Sequence, residues 1–181
     1  STDNHWILDA YNTGYYIKSG SEIVVARQNQ TSPHENGVSA STSGNFASAY
    51  INHNTAPNNE AYEYVIIPGT TSSQMVSFSN DMANENTAFY QVIQKNATAH
   101  IVKYNSKHGF VLFNSGSYGA NTPIKSNDTP CLVITETAGN NLKLSIMQPD
   151  LNFAENYGAS QSITTTLVLN GDWSLQTSSG G

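Results

Sequence analysis

Residues 51–69, INHNTAPNNEAYEYVIIPG, decide the fold, because they predict a strand, a polar turn and a second strand that ends at Pro68. Residues 61–67 alternate with a period of two, and apolar side chains fall on both faces. A strand of this kind is typical of a central or covered position in a sheet, rather than of an edge.

The same period of two runs through most of the chain, so the sequence predicts many short strands joined by turns. One hairpin is predicted around Asn12-Thr13-Gly14 and another around Gly139-Asn140-Asn141. A last strand is predicted before Asn170-Gly171, with a possible closing strand after it. The remaining predicted strands are SEIVVARQ, NFASAYINH, AFYQVIQKN, AHIVKYN and GFVLFNSG.

One short helix is predicted within residues 71–86, TSSQMVSFSNDMANEN, where Ser and Thr can cap the first turn. Met75, Phe78 and Met82 have helical spacing and are interpreted as core contacts. The sequence therefore predicts an all-β chain, an antiparallel β-sandwich with at most one short helix. A boundary near residue 85 separates two domains, 1–84 and 85–181.

Composition narrows the classes of function. Of the 181 residues, 38% are hydrophobic and only 11% charged, and the formal net charge is −6. A nucleic-acid binder needs a basic face, so the net negative charge disfavours that class. No apolar run approaches the ~20 residues that a membrane span needs. The uncharged polar surface suits hydrogen bonding to sugars and is common in proteins that work outside the cytoplasm.

Cys131 is the single cysteine, which excludes an internal disulfide and a cysteine-ligated metal site. It precedes LVIT, and we interpret it as a buried strand thiol. The chain opens at STDNHWILDAY with no signal peptide, and we expect a mature terminus or an excised piece.

No catalytic, cofactor-binding or metal-ligating residue is predicted. The histidines lack metal-like spacing, although a zinc site assembled across strands stays open, and no nucleotide or serine-hydrolase motif is present. Glu60 and Glu63 leave a glycosidase pair open, and the turn at residues 126–129, SNDT, could touch a cation. His53 is interpreted as structural, with a ring that bridges backbone groups of its turn.

Exposed aromatic rings would indicate a carbohydrate-binding surface, because sugars stack on them. The candidate carbohydrate-contact residues are Trp6, Tyr11, Tyr15, Tyr16 and Trp173. A ring on a strand is more often core or cross-strand packing, and that reading stays open for each of them.

The segment quoted first resembles a pattern of the family-eight polysaccharide lyases, which cleave chondroitin sulfate, hyaluronan or xanthan. There, a strand ending in Ile-Asp-His-Gly leads to a Pro turn, to Tyr-x-Tyr and to a closing Pro. The matching residues here are His53, Pro57, Tyr62, Tyr64 and Pro68. The chain departs from the pattern in having Asn52 and Asn54 where Asp and Gly are usual.

The resemblance continues along residues 6–170. Residues 129–151, TPCLVITETAGNNLKLSIMQPDL, are similar to the C-terminal hairpin of the family, and residues 89–104 to the strand pair before it. ILDAYNTGYYI and VVARQNQTS look like the late central sandwich. The chondroitin ABC lyases are the most similar members.

The resemblance implies that residues 1–84 are the end of a central β-super-sandwich and 85–181 the C-terminal β-sandwich of a secreted bacterial enzyme, extracellular or periplasmic. Members carry catalytic Asn, His, Tyr and Arg on an N-terminal α/α toroid, and none of these carries over. The implied partners are that toroid and a glycosaminoglycan. The chain alone is expected to be inactive, and the alternatives are a free-standing carbohydrate-binding module and a structural sandwich without a ligand.

Overall fold

The structure is a computed structural model that describes residues 5–18, 22–33, 41–85, 87–149 and 163–176. The chain divides into two compact units, Ser1–Ala83 and Asn84–Gly181. Among the described residues, no helix is both long and apolar enough to cross a membrane. Several sequence predictions fall outside the described residues, namely those at His34, Asp150, Leu151 and 177–181.

The first unit contains a three-stranded antiparallel sheet, a two-stranded ribbon and a helix. The sheet has the order β1-β2-β5, and the ribbon pairs β3 with β4 over twelve residue pairs from Glu22↔Asn52 to Pro33↔Ser41. The elements are β1 His5–Leu8, β2 Gly14–Ile17, β3 Glu22–Pro33, β4 Ser41–Asn52, β5 Tyr64–Ile67 and α1 Ser72–Met82.

The β1–β2 hairpin forms around the predicted turn. Asn12 takes a left-handed φ of 61°, which Asn tolerates better than most residues. The Asp9 carboxylate oxygen Oδ1 accepts the backbone N–H groups of Tyr11 and Thr13, both at 2.8 Å. An aspartate that bonds its own turn in this way holds the two strands in register.

Strand β5 corrects one expectation. It is the outer strand of the described sheet, where the sequence predicts a central or covered one. The face that carries Tyr64 and Ile66 is about half exposed, while Val65 and Ile67 are partly buried. Period-two patterning identified the strand correctly, but it could not show whether other strands pair with both of its edges.

The helix α1 begins at a capping box. Thr71 is the N-cap, its side-chain oxygen accepts the N–H of Gln74, and the Gln74 side chain accepts the N–H of Thr71. Met75 and Met82 are buried, and the Phe78 ring lies edge-on to Tyr16 at 5.3 Å between centroids. The predicted core contacts of the helix are therefore confirmed.

The second unit is a sandwich of two antiparallel sheets. A five-stranded sheet has the order β12-β11-β8-β7-β6, and a three-stranded sheet has the order β13-β10-β9. The strands are β6 Gln91–Lys95, β7 Ala99–Tyr104, β8 Lys107–Leu112, β9 Gly116–Ser117, β10 Ile124–Asn127, β11 Cys131–Ala138, β12 Asn141–Met147 and β13 Leu167–Leu169.

The core of this unit lies between the two sheets. Ile101, Phe110 and Val133 of the larger sheet pack with Ile124 of the smaller one, and all four are at most 2% exposed. Cys131 belongs to the same cluster at 1% exposure, so its interpretation as a buried strand thiol is confirmed. Alternate residues of each strand thus form one shared apolar layer.

A buried amide ties the smaller sheet to its surroundings. Tyr118 donates its hydroxyl to Asn127 Oδ1, and Asn127 Nδ2 donates to the carbonyl oxygens of Asn114 at 3.1 Å and Thr129 at 2.7 Å. Strands β9 and β10 were missed from the sequence, which assigned residues 121–130 to a connection. No strand follows Gly171 in the described residues. The fold class, mainly antiparallel β-structure with one short helix among the described residues, is confirmed.

Candidate functional site

The first unit contains a cleft of about 750 Å³ between its sheet and its ribbon. Strand pairing explains the lining. Tyr15 lies opposite Ile7 on one side and Ile66 on the other, while the ribbon pairs Ile23 with Ile51. The lining is mostly aliphatic, with three tyrosines, and consists of Ile7, Leu8, Asp9, Ala10, Tyr15, Ile17, Ile23, Val25, Ala47, Ser48, Ala49, Tyr50, Ile51 and Tyr64.

Asp9 is the only charged residue among those that line this cleft. Its Oδ1 is engaged by the β1–β2 turn, and its Oδ2 lies 3.5 Å from the Tyr15 hydroxyl. A carboxylate held in this way can accept a further hydrogen bond through Oδ2. The cleft therefore offers apolar contact and one acceptor, and its lining contains no histidine or lysine to move a proton.

The five candidate carbohydrate-contact residues have different surroundings in the structure. Tyr11 is 89% exposed at the tip of a turn, Tyr15 lines the cleft, and Trp6 is partly buried opposite Tyr16 in the register of β1 and β2. Trp173 belongs to the second unit, where its Nε1–H donates to the Asn170 carbonyl at 2.7 Å. The four candidates of the first unit thus lie in different surroundings, and the fifth belongs to the other unit.

Tyr16 is fully buried, so its ring is covered and has no face to offer to a sugar. It lies on the face of the sheet that meets the helix and contacts Phe78. Burial raises the pKa of Tyr16, and the Glu63 charge adds to the effect. Alternation alone could not reveal that α1 covers this face, since it assigns Tyr15 and Tyr16 to opposite faces without saying which is packed.

Sequence reasoning overlooked Tyr50 and Tyr64, which line the cleft and are 56% and 51% exposed. The Tyr-x-Tyr spacing of residues 62 and 64 was a usable signal, because it places two rings on one face of a strand. For Tyr50, on the ribbon, the sequence contains no comparable signal.

The structure adds little support for a metal site or for a catalytic pair of carboxylates. Within the described ranges, no three His, Cys, Asp or Glu side chains group to hold a metal ion. Glu63 lies 3.5 Å from Lys18 Nζ, while Glu60 lies 3.7 Å from His53 Nδ1, so the two carboxylates have different neighbours.

The SNDT turn joins two segments of the second unit. Asp128 Oδ1 accepts the N–H of Thr166 at 2.8 Å, and Thr129 donates its hydroxyl to that of Thr165 at 2.9 Å. The bond from Thr166 holds the pKa of Asp128 below its ordinary value. Hydrogen bonding within the chain thus accounts for this turn.

The turn after β4 differs from expectation in one respect. His53 Nδ1 is buried and makes no hydrogen bond, so it does not bridge the backbone through that atom. Instead, Asn52 Oδ1 accepts the N–H of Asn54 at 2.9 Å, and Asn54 takes a left-handed φ of 60°. Asn is second only to Gly in such a conformation, and Asn can make the same turn bond as Asp. The two departures from the Ile-Asp-His-Gly pattern are therefore compatible with a left-handed turn at this position.

The fold and the cleft define a two-unit antiparallel β-protein with aromatic residues on an amide-rich surface. Comparison with known proteins identifies it more closely. Residues 1–79 match the family model "Polysaccharide lyase family 8, super-sandwich domain". The chain corresponds to a C-terminal region of a family-8 polysaccharide lyase.

Two curated relatives illustrate the match. The chain is 32% identical over 170 residues to the chondroitin sulfate ABC endolyase of Proteus vulgaris, covering 93% of this chain and 16% of that protein. It is 31% identical over 151 residues to the chondroitin sulfate ABC exolyase of Bacteroides thetaiotaomicron, covering 80% of this chain and 14% of that protein. The chain thus spans less than a fifth of the length of either relative.

A solved structure of chondroitinase AC lyase shares the fold. It superposes with a TM-score of 0.64 at 17% identity, over 97% of this chain and 27% of that one. At this identity the likeness concerns the fold alone.

Proposed function

We propose that this chain is the non-catalytic β-sandwich part of a lyase that depolymerises uronic-acid-containing glycosaminoglycans by β-elimination. Residues 85–181 would form its C-terminal β-sandwich. The observation that carries the proposal is the 32% identity to a chondroitin sulfate ABC endolyase along 93% of the chain. Its partners in this proposal are the catalytic α/α toroid of the same polypeptide, which it braces, and the polysaccharide.

The chemistry of the described residues supports a non-catalytic role. β-Elimination requires a base that removes the C5 proton of a uronic acid and an acid that protonates the leaving oxygen. His108 is buried with both ring nitrogens unpartnered, and burial lowers its pKa. His53 and Glu60 lie side by side, but the closest approach between their polar atoms is 3.7 Å.

The surface of the first unit supports a bracing role. The cleft is lined mainly by aliphatic side chains, and Val25, Phe46 and Tyr50 of the ribbon are each more than half exposed. Apolar surface of this kind gains about 25 cal/mol per Å² when it is covered. Packing against another part of the same polypeptide would cover it.

Two measurements test the proposal. The purified chain is incubated with chondroitin sulfate and with hyaluronan, and the ultraviolet absorbance of unsaturated uronate is followed; we expect no turnover. In parallel, the aligned region is deleted from the Proteus vulgaris endolyase, and we expect a lower unfolding temperature. Turnover by the isolated chain, or a deletion without effect on stability, would contradict the proposal.

We also propose an extracellular or periplasmic location, which the bacterial origin of the matched relatives supports. Fractionation of the source cells, with an antibody against the purified chain, tests it. A signal confined to the cytoplasmic fraction would refute it.

A free-standing carbohydrate-binding module is the second candidate function. The half-exposed rings of Tyr62 and Tyr64 favour it, since sugars stack on exposed tyrosine rings. The deletion described above decides between the two, because removal of a free-standing module would leave the unfolding temperature of the rest of the enzyme unchanged.

A further inference from the structure

Three rings of the first unit form a row, here called the aromatic row, which consists of His53, Tyr62 and Tyr64. The centroids of His53 and Tyr62 are 6.2 Å apart with planes at 40°, and those of Tyr62 and Tyr64 are 5.9 Å apart with planes at 33°. Tyr62 therefore lies beside both other rings, at two near-equal centroid distances. The row ends at Tyr64, which also lines the cleft.

Two of the three rings in the row are open to solvent. Tyr62 is 58% exposed and Tyr64 is 51% exposed, so each ring shows a large part of its surface. Glu60, at the side of the row, has a carboxylate that is about half exposed and lies 3.7 Å from His53 Nδ1. Apolar faces and a polar rim thus occur together on the same surface.

The loop that presents the row is fixed by its own geometry. Asn54 and Asn59 both take left-handed backbone conformations, with φ of 60° and 55°. Asn52 anchors the start of the loop, because its Oδ1 accepts the N–H of Asn54 while its Nδ2 donates to Glu22 on the paired strand. These contacts restrict the shape of the loop, and a loop that is already restricted loses less entropy when a ligand binds.

We propose that the aromatic row is a glycan-contact site that takes the apolar faces of successive pyranose rings. Tyr62 and Tyr64 supply the stacking surfaces, and the Glu60 carboxylate accepts hydrogen bonds from hydroxyl or amide N–H groups of the sugar. The site rests on the proposed function only in that both involve a polysaccharide.

The local charge defines the class of sugar further. Glu60 carries a negative charge at the rim, and Glu63 is paired with Lys18 at 3.5 Å. A sulfate or carboxylate close to Glu60 would be repelled, whereas a neutral, donor-bearing sugar would not. The site therefore places an uncharged sugar unit of the glycan next to Glu60, with acidic units further from it, and disfavours a sulfate on that unit.

Calorimetry with an unsulfated chondroitin hexasaccharide, using the isolated chain, tests the proposal. The Tyr62→Ala variant should bind about tenfold more weakly, since truncating a central contact residue typically costs more than 1 kcal/mol. Tyr62→Phe and Tyr64→Phe keep the ring face and should bind within about twofold of the unchanged protein. Tyr104→Ala removes a partly exposed tyrosine of the second unit and is the matched control.

Charge gives a second, independent readout. A sulfated hexasaccharide of the same length should bind more weakly than the unsulfated one, and Glu60→Gln should reduce that difference. Absence of binding by the unsulfated hexasaccharide, equal loss in Tyr62→Ala and Tyr104→Ala, or tighter binding of the sulfated form would each overturn the proposal. None of these results bears on whether the chain catalyses elimination, so failure here and failure of the proposed function are distinguishable.

Discussion

His108 on β8 and Thr135 on β11 lie directly opposite each other, and neither side chain has a hydrogen-bond partner although both are buried. On its other side, His108 lies opposite Lys103 of β7. The core face of the five-stranded sheet therefore contains two adjacent polar side chains that lose their hydration on folding without replacing it. Burying a polar group without a hydrogen bond makes the free energy of folding less favourable.

Replacing Thr135 by Val should therefore stabilise the second unit by about 1 kcal/mol, because an orphaned hydroxyl is removed at nearly constant shape. Unfolding in urea is followed by Trp173 fluorescence in a Trp6→Phe background. The control is Thr122→Val, where the hydroxyl donates to the carbonyl of Ile124 at 2.7 Å and also lies 3.0 Å from that of Gly119. That variant should lose about 1–3 kcal/mol, and the prediction fails if both changes have the same sign.

The stability of the second unit should fall as the pH is lowered. Burial, and then the nearby Lys103 charge, lowers the pKa of His108 below its ordinary 6.5. In the pH range just below 6.5 the unfolded chain binds a proton at His108 more readily than the folded chain does. The stabilisation that depends on neutral His108 is therefore complete above pH 6.5 and is lost as the pH falls towards the pKa of the folded state.

The free energy of unfolding, measured between pH 8 and pH 5, checks this sign. His108→Gln should remove the part of the acid-induced loss that arises from this imidazole. His100→Gln, which changes an exposed histidine on the neighbouring strand β7, should leave that loss in place. An unchanged pH profile in His108→Gln would refute the linkage.

Gly14 should tolerate no side chain. A Cβ at this position would lie 2.7 Å from Thr70 Cγ2 and closer still to Met75 Sδ, and Met75 is fully buried. Gly14→Ala is expected to cost about 1–3 kcal/mol through overpacking, measured by unfolding of the first unit through Trp6 fluorescence. Gly109→Ala, on β8 of the second unit, is the control, because a Cβ there would meet nothing within 4 Å; its effect is read through Trp173 fluorescence, and equal losses in both variants would argue against the clash.

Tyr16 should behave as a core residue. Tyr16→Ala is expected to cost about 3–5 kcal/mol because it leaves a large cavity beside Phe78. Tyr16→Phe should be neutral or stabilising, because the buried hydroxyl has no hydrogen-bond partner. Tyr11→Ala, at an 89% exposed turn position, should change stability by less than about 0.5 kcal/mol. A mild effect of Tyr16→Ala would contradict this assignment.

Much of the fold was predictable because it depends on local chemistry. The hairpin around Asn12 follows from turn residues, and α1 follows from Thr71 and the spacing of its buried methionines. Strands β9 and β10 were missed because they are only two and four residues long and flank a proline, Pro123. Segments this short carry too little period-two signal to be recognised.

The candidate site was less predictable, because exposure depends on which elements cover which faces. Tyr15 and Tyr16 are adjacent in sequence, but one lines an open cleft and the other is sealed by α1. The aromatic row depends on left-handed conformations at Asn54 and Asn59, which bring His53 next to Tyr62. The Tyr-x-Tyr spacing was a signal for two of these rings, but nothing in the sequence specifies the approach of His53 to Tyr62.

The lone thiol of the chain provides a built-in reporter. Cys131 faces the sealed interior of the second unit, opposite Leu112, and burial raises its pKa, so the reactive thiolate is scarce while the sandwich stays closed. An alkylating reagent would label it only during transient opening. The labelling rate would therefore report how often the second unit opens transiently, without any engineered probe.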